Sequence, residues 1–178
     1  TILATGHSAR DIYYMFDANK YAIEAKPFAV GFRLEHYQEL INKIQHGNKF
    51  AKVLPAAAYK LVAQAGNRGV FSFCMCPGGL IVPASTNANE LVVNGMSMSG
   101  RNSKFANSGI VCSVTDADFA EFADFGVLAG LKFQESLEQN FYLDAGDNFL
   151  KAPAQRMVDF IKHRESNSLM DTSYLPGL

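Results

Sequence analysis

The sequence contains no apolar run near the roughly 18 residues that a membrane span requires, and its start lacks a basic segment followed by an apolar signal core. Neither a spanning helix nor a secretory leader is expected. Cysteine is scarce. Three residues, Cys74, Cys76 and Cys112, are too few, and odd in number, for the disulfide framework of a secreted domain, so a reducing cytoplasm is the expected setting. Charge is also sparse, at 19% of residues, and 16 Lys and Arg against 17 Asp and Glu leave a net charge of -1. That balance lacks the clustered cations a nucleic-acid partner demands. The four histidines, His7, His36, His46 and His163, stand at no metal-ligand spacing, so no metal is expected. No G-x-S-x-G elbow anchors a hydrolase triad, and neither G-x-G-x-x-G nor G-x-x-x-x-G-K-[ST] occurs.

What is present is a chain of 178 residues, 48% hydrophobic, sufficient for one buried core or for a domain with a fragment of another. It opens without Met on an apolar, strand-like run, Thr1 to Leu3, which raises the expectation of a piece of a larger protein. A helix should follow the Ala4–Ser8 turn, with Ile12, Met15 and Phe16 on one face and a Ser8/Asp11 capping box at its start. Strand character over Ala29–Glu35 and helical spacing over His36–Gln45, stopped at Gly47, come next. Five strand candidates follow: Tyr59–Ala63, Gly69–Cys74, Gly79–Val82, Glu90–Val93 and Gly109–Val114, with turns expected at Gly66-Asn67, Pro77-Gly78-Gly79 and Asn94-Gly95. Short turns without intervening helices imply antiparallel pairing. Thr115 with Asp118 makes a second capping-box start, Leu131–Tyr142 reads as helix, and Pro153 suits the first turn of a last helix. The expected fold is α+β: an antiparallel or mixed sheet, open or barrel-like, with helices mainly in the C-terminal third.

Three segments could carry chemistry. Ala4-Thr5-Gly6 lies where a strand should hand over to a helix, a position at which free N–H groups and a glycine receive anionic ligands; the same pattern also serves as a plain turn. Cys74-Met75-Cys76-Pro77-Gly78-Gly79 is the most unusual run. On a strand, Cys74 and Cys76 would share a face, as a thiol pair or as inert buried cysteines before a turn. Between Ser85 and Ser108 the chain is crowded with neutral hydrogen-bonding groups, Asn94, Ser97 and Asn107 among them, with Arg101 as one of few charges; such a run either orients a polar ligand or is solvated loop.

The runs Ala4–Asp11, Ala25–Gly31, Arg33–His36, Phe71–Gly79, Asn94–Ser97 and Ala152–Arg156 together resemble a family of uncharacterised FAD-dependent dehydrogenases, the NAD(FAD)-utilising dehydrogenase type of the glutathione-reductase-like flavoproteins. The resemblance implies a Rossmann-type FAD domain interrupted by a second, substrate-side domain. It places a remnant of the FAD domain at 1–20, the inserted domain at 21–165 and a return linker at 166–178. Ala4, Thr5 and Gly6 match the second FAD contact. The family's G-x-G-x-x-G and final glycine-rich segment are missing, so FAD would belong to the intact protein without being retained by this chain, with NAD(P)H as a candidate electron donor. The expected partner is the FAD-binding domain of the same polypeptide. Cys74, Cys76, Pro77, Gly78, Gly79, Asn94, Ser97, Arg101 and Asn107 are the substrate-pocket candidates by residue chemistry. The alternatives are a non-catalytic module docking a partner domain or RNA, and a thiol redox domain using Cys74 and Cys76.

Overall fold

The computed structural model describes residues 2–6, 8–146 and 151–177. Helix α1 spans Arg10–Ala18, strand β1 Phe28–Tyr37 and helix α2 Gln38–Phe50, the last broken at Gly47, whose φ of 71° is non-helical. Five strands follow: β2 Val62–Ala65, β3 Arg68–Cys76, β4 Gly79–Ala84, β5 Val92–Ser97 and β6 Phe105–Val114. A 3-10 helix over Asp116–Leu128 leads into α3, Ala129–Asp144. Strand β7 (Lys151–Pro153), helix α4 (Met157–Ile161) and strand β8 (Leu175–Gly177) complete the chain. No helix among the described residues is long and apolar enough to cross a membrane.

The α+β class and the antiparallel pairing hold. The barrel alternative does not: the main sheet is open, in the order β1-β6-β3-β2, while β4 and β5 form a separate antiparallel hairpin and β7 and β8 a parallel pair. Four strands are too few to close a barrel. Helices also stand at the front of the chain as well as in its last third. The apolar start forms no strand; Ile2 and Leu3 are exposed coil, since no described strand offers them a ladder. Thr1 and His7 lie outside the described residues. Helix α1 takes Ala9 as its N-cap, one residue after the Ser8 expected there, and Ala9 supplies no side-chain cap. Asn94-Gly95 is no turn: both residues are inside β5, paired with Val82 and Ile81. Pro153 belongs to β7, not to a helix.

The helical side is tied to the sheet by aromatic packing and ion pairs. Phe28 at the start of β1 stacks on Phe119 (5.9 Å between centroids), and Phe133 of α3 meets both Phe28 and Phe119. The Thr115/Asp118 capping box is present, and Arg68 of β3 forks onto the same Asp118 carboxylate at 2.8 and 2.5 Å. Helix α1 is anchored by buried Arg10, whose Nη1 and Nη2 reach Glu90 (3.0 Å) and Glu138 of α3 (2.8 Å). Burial holds the Glu138 carboxyl above its usual pKa despite that partner.

Candidate functional site

The Cys74–Gly79 run is where the main sheet gives way to the β4–β5 hairpin. Phe73 pairs with Gly109 and Cys76 with Asn107, so β3 carries one residue more than β6 across this interval. That is a β-bulge, and Cys74 takes the strain in it with a φ of 45°. The bulge breaks the two-residue alternation on which a shared face for Cys74 and Cys76 depends. Both are free; Cys74 is exposed, and the Cys76 thiol donates to the Cys74 carbonyl at 3.4 Å. Pro77, Gly78 and Gly79 are buried. Gly78 has a φ of 54°, and a Cβ there would stand 1.9 Å from the Arg101 carbonyl oxygen, so only glycine fits this turn. Its N–H donates to Oε1 of buried Gln38 at 2.6 Å, while the Ser97 hydroxyl donates to the Pro77 carbonyl at 2.9 Å.

Beside the bulge lies a polar cluster carried by four strands. Arg33 of β1 donates through Nη1 to Asn107 Oδ1 (2.7 Å) on β6 and to the Cys74 carbonyl (3.3 Å) on β3. Gly95 of β5 lies against that contact: a Cβ would fall 2.2 Å from both Arg33 Nη1 and Asn107 Oδ1. Asn107 is 0% exposed, and its Nδ2 has no hydrogen-bond partner among the described residues. On the other side of β6, the His36 and Tyr59 rings lie 5.5 Å apart, and the buried His36 Nε2 has no hydrogen-bond partner among the described residues. Burial lowers the His36 pKa, disfavouring the charged imidazolium, and raises that of Tyr59. Across the turn, an open cleft of about 620 Å³ runs between α2 and the 101–104 loop, with Asn42, Lys52 and Arg101 on its wall.

The structure thus gathers Cys74, Cys76, Pro77, Gly78, Gly79, Ser97, Arg101 and Asn107 around one turn. Asn94 does not join them: it is exposed, on the opposite face of β5 from Gly95. Ala4, Thr5 and Gly6 are exposed coil. Gly6 has a φ of 81° and open space where a Cβ would be, so its backbone is approachable by a phosphate or ribose. Helix α1 starts four residues later, and the guanidinium in its first turn is committed to two carboxylates. An enclosing dinucleotide cradle is not built by the described residues. Arg33, Gln38 and Gly95 were not among the expected site residues. The signal for Arg33 was a charge set, with that of Glu35, in a strand that begins apolar.

A family model described as FAD-dependent protein, C-terminal domain-like, matches residues 27–178. An uncharacterized protein of Clostridium beijerinckii is 43% identical over 181 residues, an alignment that covers 99% of this chain and 33% of that protein. The chain spans about a third of the length of this relative.

Proposed function

We propose a function for a chain that belongs to the family of FAD-dependent protein C-terminal-like domains: it is the substrate-side domain of an FAD-dependent oxidoreductase of the dehydrogenase type. The observation that carries this reading is the bulged β3–β4 turn, where backbone strain, a buried amide and a half-buried guanidinium converge beside exposed surface. Strain of this kind persists where the surrounding structure over-determines it, which is the habit of ligand-binding sites. Flavin, when bound, supplies two-electron hydride chemistry, with NAD(P)H as the donor class. In this chain Gly6 offers a backbone edge to the dinucleotide, Arg33 and Asn107 orient the substrate, and Pro77-Gly78-Gly79 holds the turn rigid against Gln38 and Ser97. The remainder of the polypeptide supplies the FAD cradle and covers the apolar surface of α4.

The test is to purify the intact, longer polypeptide and record its visible spectrum, then add NADH or NADPH without oxygen. Flavin absorption that bleaches with either nucleotide is the expected result. A colourless preparation that FAD cannot reconstitute would sink the reading. Turnover that survives replacing Cys74 and Cys76 by Ser assigns the thiols a structural role; turnover lost in that variant, with flavin retained, favours thiol redox chemistry.

A further inference from the structure

We propose that Arg33 is the anchor for a monocarboxylate with an apolar body. Two other arginines bonded across the fold, Arg10 and Arg68, are each satisfied by carboxylates. Arg33, half-buried between strands, has only neutral acceptors among the described residues, the Asn107 amide oxygen and the Cys74 carbonyl. Glu35, the carboxylate two residues along on the same strand face, is turned to the backbone N–H (2.9 Å) and the hydroxyl of Ser173. A partly desolvated cation without a counter-charge is costly, and a ligand carboxylate removes that cost. Both protein bonds use Nη1, so the Nη2 and Nε donors of the fork remain uncommitted among the described residues, and Asn107 Nδ2 adds a donor without an acceptor. A site rich in donors and holding one cation suits a single carboxylate, which the guanidinium fork grips in two places.

The register supplies the second half of the ligand. Arg33 pairs with Gly109, and Gly109 pairs with Phe73, so these three residues stand side by side across β1, β6 and β3. Gly109 has no side chain, and Phe73 is 56% exposed. An apolar group attached to the carboxylate would meet that ring.

The proposal rests on the substrate-side reading for its biological meaning, but its test does not. Benzoate and its neutral counterpart benzamide are titrated into the intact polypeptide by calorimetry, which detects binding whether or not flavin is present. Benzoate should bind at least about tenfold more tightly than benzamide. Arg33→Gln should erase that preference. Asn107→Asp keeps the shape of the side chain and gives Arg33 an internal counter-charge, so it should lower benzoate affinity by a similar factor while the melting temperature holds or rises. A merely structural Asn107 would not produce that split. Equal affinity for the two probes, or undiminished benzoate binding by folded Asn107→Asp, overturns the assignment. Benzoate binding without FAD would leave this site standing and remove the proposed function; FAD binding with indifference to benzoate would do the reverse.

Discussion

At the scale of single residues, the site depends on atoms that are missing as much as on those present. Gly95 is in a regular strand with no positive φ, so its role is not conformational. It leaves room for the Arg33–Asn107 contact, which a Cβ would enter from 2.2 Å on both sides. Gly95→Ala should therefore cost about 1–3 kcal/mol, the usual range for overpacking a filled site. Gly69 of β3 is the control, because nothing stands within 4 Å of its Cβ position. Denaturant unfolding of both variants in the intact polypeptide checks this. If Gly95→Ala is as stable as Gly69→Ala, the Arg33–Asn107 contact yields freely and is not a fixed feature. Asn94, adjacent in sequence, shows why such a site is hard to read in advance. Asn-Gly is a strong turn signal, yet here the pair lies within a strand, where alternation sends Asn94 outward and leaves Gly95 inward.

At the scale of elements, the most legible features were those with a local cause. The Thr115/Asp118 box was readable because capping is a contact three residues apart, and it is made. Its second partner, Arg68, was not readable, because only the sheet brings β3 to the start of the 3-10 helix. The bulge at Cys74 was hidden for the same reason: a bulge is a relation between two strands, and β3 alone does not reveal the count on β6. The pocket candidates around Pro77 stood out by composition, whereas Arg33 acquires meaning only from its register. The Arg68 fork, with the Thr115 N–H, holds the Asp118 pKa at about 2, below the ordinary 3.8. A depressed carboxylate pKa contributes stability that is present above the unfolded value and lost as pH falls through the folded one. Stability should therefore decline between about pH 4 and pH 2 more steeply in the natural sequence than in Asp118→Asn. Thermal unfolding across that window measures it, and parallel curves would show that the link between β3 and the 3-10 helix does not depend on the charge.

At the scale of the whole molecule, the low charge seen at the outset acquires a location. Helix α4 presents Met157, Val158, Phe160 and Ile161, all at least 44% exposed, and the Phe160 ring lies 5.5 Å from that of Phe32, itself half-exposed on β1. Grouped apolar side chains of this kind mark an interaction surface more often than scattered ones do. The related protein carries about twice as much chain again beyond the aligned third, and under the proposed function that additional chain is what covers α4. Ile161→Asp places a charge where the covering domain would sit, at a side chain that is itself 64% exposed. In the intact polypeptide it should loosen the flavin domain, seen as faster FAD loss on dialysis and faster hydrogen exchange over 157–161. Melting of the substrate-side domain itself should move little, by no more than about 0.5 kcal/mol, as for an ordinary surface substitution. Unchanged FAD retention together with unchanged exchange would mean that the rest of the polypeptide docks elsewhere, and that the α4 surface serves a separate partner.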